Sequence, residues 1–129
     1  MSAKMKHMEF IQSVVTRMNT NSFLIKGWSV TLVAAVTALA AKAPEVCPAF
    51  LLVPAFWILD GFYLSQERRF RGLYDEVRAK SEQDIDFSMD TRAYAKGRGS
   101  WVAAMLSRTL LVFYAILGAI AVVAWLIVR

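Results

Sequence analysis

Apolar and polar residues are sorted into blocks along this chain. Three apolar stretches run from about Phe23 to Ala41, Ala49 to Leu64 and Leu110 to Val128, and charged connections separate them. Each approaches the ~20 residues that an α-helix needs to cross ~30 Å of hydrocarbon. The first carries a single charge, Lys26, near its start, and the second carries Asp60 in its final third. The third has no charge until Arg129. A soluble domain would instead spread its apolar residues at amphipathic spacing.

The connections have periodicities of their own. Residues 1–20 read as an amphipathic helix, with Met8, Ile11, Val15 and Met18 at helical spacing, Val14 beside them, and Lys4, Lys6 and Arg17 elsewhere. Such a helix lies either in the headgroup layer or against the rest of the protein. Asn19-Thr20-Asn21-Ser22 predicts a break, with Ser22 capping the next helix. The turn Lys42 to Pro48 is short and holds two prolines, so the second span folds back antiparallel to the first. Pro54 is expected to kink span two. Beyond Leu64 little interrupts the helix except Gly72, so span two is read as continuing to about Lys80. Phe70, Leu73, Tyr74 and Val77 form an apolar stripe on that extension. Residues 81–100 read as a loop, acidic at Glu82, Asp84, Asp86 and Asp90, then basic at Arg92, Lys96 and Arg98, with Gly97 and Gly99 near its end. Trp101 to Ser107 reads as an interfacial lead-in to span three.

Composition fits this division. The 129 residues suffice for one domain; 57% are hydrophobic although 19% are charged. The net charge is +5, and the cations cluster by position. Arg68, Arg69, Arg71, Arg78, Lys80, Arg92, Lys96, Arg98 and Arg108 lie between spans two and three, whereas the hairpin turn holds only Lys42 and the C-terminus only Arg129. The positive-inside rule then puts the N-terminus and the long connection in the cytoplasm, and the turn and C-terminus outside. Basicity is thereby explained by topology, and no nucleic-acid partner is expected. Trp28, Tyr63, Trp101 and Trp125 fall near the expected interfaces. The first span is not read as a cleavable signal, because a segment of more than 20 residues precedes it. The fold class is thus an all-α integral membrane protein of three transmembrane helices, with an N-terminal amphipathic helix and a cytoplasmic extension of the second span.

Candidate chemistry is sparse. Cys47 is the only cysteine and His7 the only histidine, so neither a disulfide nor a His-based haem or zinc set is available, and no cofactor or metal is expected. No GxGxxG or P-loop pattern occurs, and the acidic run lacks the spacing of an EF-hand, so enzyme chemistry is not indicated. A charge in hydrocarbon costs roughly 2.5–3.5 kcal/mol on insertion scales, so intramembrane charges usually pair or face water. Lys26 and Asp60 fall in the same halves of adjacent antiparallel spans, where they form a candidate ion pair; alternatively Lys26 snorkels to the headgroups while Asp60 pairs with Arg68 or Arg69, and Asp60 is also a candidate for lining an oligomeric pore. The run Glu67, Arg68, Arg69 and Arg71 is a stop-transfer signal and a candidate contact for lipid or a partner. Gly118, among Ala115, Ala119 and Ala121, is the candidate for close helix packing.

The layout of residues 1–80 resembles the SLATT group of bacterial membrane proteins. An N-terminal helix leads into a tight two-span hairpin, whose second span runs on as a charged helix through Phe62-Tyr63-Leu64-Ser65-Gln66-Glu67-Arg68-Arg69-Phe70-Arg71-Gly72-Leu73-Tyr74. The third span lies outside that likeness. The resemblance implies a small homo-oligomeric effector of the bacterial inner membrane that forms or gates a pore in anti-phage defence. Its trigger would come from a separate cytoplasmic sensor, since no nucleotide-sensing domain is read in this chain. The alternatives are a non-conducting anchor or adaptor that docks a soluble partner through residues 65–100, and a small transporter.

Overall fold

The computed structural model describes residues 2–43 and 48–128; Cys47, most of the expected turn and Arg129 lie outside the described residues. Among these residues the chain is helical, without strands, and three of its helices are long and apolar enough to cross a membrane. Helix α1 runs Ala3–Ala40, α2 Leu52–Ala79, α3 Trp101–Met105 and α4 Arg108–Val128. A 3-10 turn at Ala49–Leu51 leads into α2, and three more at Glu82–Asp84, Arg92–Tyr94 and Gly97–Gly99 punctuate the connection between α2 and α3.

Two local expectations are corrected. Helix α1 passes unbroken through residues 19–22, so the amphipathic segment and span one are a single rod. Ser22 is no cap; its hydroxyl turns inward to Asp60. Asn, Thr and Ser disfavour helix interiors only weakly, and packing along both halves outweighs that preference. The rod starts instead at Ser2, whose hydroxyl accepts from the Met5 amide at 3.1 Å. In α2, Pro54 stands in the first turn rather than mid-helix. A missing amide proton is harmless there, so the expected cause of a kink is absent.

Two apolar cores lie along the rods. In the bundle, Val33 of α1, Val53 of α2 and Leu110, Tyr114, Leu117 and Ala121 of α4 pack together. In the head, Ile11 and Val15 of α1 meet Leu73 and Val77 of α2, with Met8, Phe70, Tyr74, Ile85 and Tyr94 around them. The amphipathic face of residues 1–20 is therefore packed on protein.

The connection folds back over the head. Glu82 accepts from the Lys4 amide with both carboxylate oxygens, at 3.2 Å each, placing an anion at the start of α1 where the helix dipole favours one. His7 is buried, and its Nε2 lies 3.0 Å from the Ser88 carbonyl oxygen. Asp90 accepts from the Arg92 backbone amide at 3.0 Å and from its guanidinium at 2.8 to 3.1 Å. At the far end, Ser65 Oγ and Arg69 Nε both donate to the Gly99 carbonyl, at 2.7 and 2.8 Å. Arg68 donates to the Arg98 carbonyl at 3.1 Å.

The tight glycines are not at the predicted position. A Cβ added at Gly118 would meet only Val53 Cγ1, at 3.8 Å, an ordinary contact. At Gly99 it would strike the Tyr94 carbonyl oxygen, and at Gly61 the Met105 side chain. Gly99→Ala should lower stability by about 1–3 kcal/mol through overpacking, whereas Gly118→Ala should be close to neutral; thermal unfolding in detergent compares them. The Arg92 clasp sets a second expectation. Hydrogen bonds from Arg92 hold the Asp90 carboxyl at about 2. A depressed native value means that the contact is fully formed above the ordinary carboxylate range and is lost as pH falls through about 2. An NMR titration of the full chain in micelles should show that low midpoint, and Arg92→Ala should raise it part of the way to the ordinary range, because the backbone amide of residue 92 still donates.

Candidate functional site

The one fully buried carboxylate among the described residues is Asp60, at 0% exposure. It lies on α2 where all three long helices converge. Three donors reach it. Lys26 Nζ of α1 donates to Oδ2 at 2.7 Å, Tyr114 OH of α4 donates to the same oxygen at 2.8 Å, and Ser22 Oγ of α1 donates to Oδ1. Lys26 also donates to Ser22 Oγ at 3.0 Å, closing a ring of contacts on one turn of α1. Ser22 and Lys26 are four residues apart, so they share a face of the helix.

Lys26 is the partly open member of the set. Its side chain is 19% exposed, and its ammonium also lies 5.8 Å from the centre of the Phe113 ring, within range of a cation–π contact. Below the ammonium, toward the head, a crevice of about 220 Å³ opens between α1, α2 and α4. Asn19, Ser22, Lys26, Glu67, Arg68, Ser107 and Thr109 supply its polar lining. Arg68 is partly buried there, and burial, followed by the neighbouring charge of Arg98, lowers its pKa from the usual guanidinium value.

The residues singled out in the sequence fall into three situations. Lys26 and Asp60 are brought together directly. The Asp60 carboxylate is buried within the chain, among α1, α2 and α4. Glu67, Arg68, Arg69 and Arg71 are largely occupied within the chain: Arg68 and Arg69 hold the 98–99 carbonyls, and Glu67 accepts from Arg71 at 2.9 and 3.1 Å. Gly118 lies on the rim of a groove with Phe50, Pro54, Trp57 and Ala115 rather than at a close helix crossing.

The sequence marks Ser22 only as a helix cap and does not single out Tyr114. A serine in a polar tetrapeptide and a tyrosine in an apolar span look like a cap and an amphipathic filler. The usable signal was the helical spacing of Ser22 to Lys26. No sequence rule pairs Tyr114 with Asp60, because that contact joins residues far apart in the chain. Among the described residues, no group of three or more His, Cys, Asp or Glu side chains is arranged to hold a metal.

The arrangement binds helices to one another. A carboxylate that accepts from three side chains is fixed in orientation, and each donor is fixed by it. Removing one partner of a buried pair leaves the other uncompensated, typically at a cost of about 3–5 kcal/mol. Asp60→Ala should therefore destabilise severely. Lys26→Met combined with Asp60→Leu should recover much of the loss, and Tyr114→Phe should cost between about 0.6 kcal/mol, the average for interhelical hydrogen bonds between membrane helices, and about 1.7 kcal/mol, the largest of them. Unfolding of the three variants in detergent micelles checks the order. Comparison of the chain with protein-family models, with characterised proteins and with solved structures finds no match.

Proposed function

We propose that this chain is a three-span protein of the bacterial inner membrane that acts as a small oligomeric effector, transmitting an event at its cytoplasmic head to its membrane helices. The positive-inside distribution supports a head formed by residues 3–20 and 65–100 on the cytoplasmic side, with the 42–48 turn outside. One observation carries the reading of transmission. Helices α1 and α2 each run from the head core into the bundle without a break. A displacement between Ile11 and Val77 is thereby delivered to Lys26 and Asp60 as motion of rigid rods, the kind of element that couples distant sites. Three helices enclose no channel alone, so a pore requires several copies. Its walls would come from the outward faces of the spans, because Asp60 is turned inward. The groove along Phe50, Val53, Pro54, Trp57, Ala115 and Gly118, about 400 Å³, supports a packing surface for a neighbouring copy.

A second reading, the anchor or adaptor, is favoured by a different observation. The head carries an open groove of about 620 Å³ lined by Met5, Met8, Glu9, Gln12, Ser13, Thr16 and Tyr74. Methionine-rich surfaces adapt to partner helices. In this reading the spans hold a soluble partner at the bilayer and conduct nothing.

Two measurements separate the readings. For the effector, the purified chain should run as an oligomer in detergent, and strong expression should collapse the membrane potential reported by a voltage-sensitive dye. Thr20→Gly with Asn21→Gly, which weakens α1 by up to about 1 kcal/mol at the joint between head and bundle, should blunt that collapse while leaving insertion intact. A monomeric chain that leaves the potential untouched overturns the effector reading and leaves the adaptor.

A further inference from the structure

On the side of the bundle where α1 faces α4, two cavities follow one another along the helices. The first is the polar crevice described above. The second is an apolar groove of about 570 Å³, lined on α1 by Val30, Ala34 and Ala38 and on α4 by Phe113, Ile116 and Ile120, among others. They adjoin where the Lys26 ammonium lies over the Phe113 ring, since Lys26 lines the crevice and Phe113 lines the groove. One end is cationic and rich in hydroxyls; the other is hydrocarbon except for Thr37, whose hydroxyl donates to the Val33 carbonyl.

We propose that the seam between α1 and α4 binds one anionic glycerophospholipid, with its phosphate in the crevice at Lys26, Arg68 and Thr109 and an acyl chain in the groove. This rests on the helices lying in a membrane, but not on the chain being an effector.

Charge favours that occupant. Arg68 is crowded by Arg98, and a phosphate diester relieves the repulsion while accepting charge-assisted hydrogen bonds. Glu67, the carboxylate in the crevice lining, already accepts from Arg71 and is thereby partly neutralised. Thr109 and Asn19 present polar side chains that have no partner among the described residues. Along α1 the groove extends from Val30 to Ala41, about 17 Å at 1.5 Å per residue, so an acyl chain entering beside Lys26 would follow the seam past the bilayer midplane. Small residues set the groove's width: Ala34 and Ala38 on α1, Ala41 just past its end, and Ala121 and Ala124 on α4 leave room for a chain between the helices. The site is intramolecular, because head and groove are built from one chain.

The test uses the full chain, delipidated in a non-phospholipid detergent and titrated with phosphatidylglycerol by native mass spectrometry. Diacylglycerol and inorganic phosphate serve as partial probes, one without the phosphate and one without the tails. Phosphatidylglycerol should bind one to a chain, and each partial probe at least tenfold more weakly, a difference of about 1.4 kcal/mol. Arg68→Gln with Thr109→Val should weaken phosphatidylglycerol binding by about tenfold and leave diacylglycerol unchanged. Ala34→Leu with Ala38→Leu, which fills the groove from exposed positions, should weaken both; far-UV circular dichroism and unchanged elution confirm that each variant is folded. Equal binding of diacylglycerol, equal binding of inorganic phosphate, or indifference of phosphatidylglycerol to both variant pairs overturns the proposal. So does a groove-filled variant that loses self-association but keeps its lipid, because the groove is then an interface between copies. None of these outcomes bears on whether the chain needs detergent to stay in solution, which tests the membrane reading by itself.

Discussion

The bundle depends on one buried carboxylate and the three donors that reach it. Asp60 is an expensive residue in an apolar helix, and its cost is offset only if every partner arrives from the correct direction. Lys26, Ser22 and Tyr114 supply partners from α1 and α4, so satisfying one side chain specifies the relative rotation of three helices. Leucine and valine packing is permissive about such rotations, because apolar side chains repack with small losses. A charged hydrogen-bonded node is far less permissive, and it sits where bundle and head meet.

Around that node the two cores have different tasks. The bundle core joins branched and small residues with Tyr114 where α1, α2 and α4 meet. The head core ties the N-terminal part of α1 to the far part of α2, and the 81–100 connection is laid across it by polar contacts. Glu82 holds the start of α1, and Ser65 and Arg69 hold the Gly99 carbonyl. Basic residues that a topology argument treats as a generic charge barrier are thus used individually, as donors to backbone carbonyls. This gives the head a defined shape that continuous helices extend into the bundle, and it leaves an open groove along Met5 and Met8.

The seam between α1 and α4 shows the complementary economy. Helix α2 packs closely along α1, whereas α4 approaches α1 and α2 equally and more sparsely, with alanines lining its gap with α1. A gap of that kind beside a fixed cation has different consequences in water and in a bilayer. In a bilayer it is filled by whatever apolar chain is at hand, and a cationic mouth selects chains that carry an anion.

Much of the architecture was legible in the sequence because hydrophobic blocks and turn residues are local signals. The three apolar stretches, the continuation of α2 past Leu64 and the stripe at Phe70, Leu73, Tyr74 and Val77 follow from residue spacing alone, since helix geometry repeats every 3.6 residues. The opposite antiparallel halves of spans one and two even put Lys26 and Asp60 at similar depth. Other features were decided by contacts between distant parts of the chain. Tertiary packing overrode the weak breaking tendency of residues 19–22, recruited Ser22 and Tyr114 to Asp60, turned that carboxylate away from the surface, and moved the sterically critical glycine from Gly118 to Gly61 and Gly99. The physical reason is that periodicity fixes which face of a helix is apolar, but only the neighbouring helix decides which polar atom on that face will find a partner.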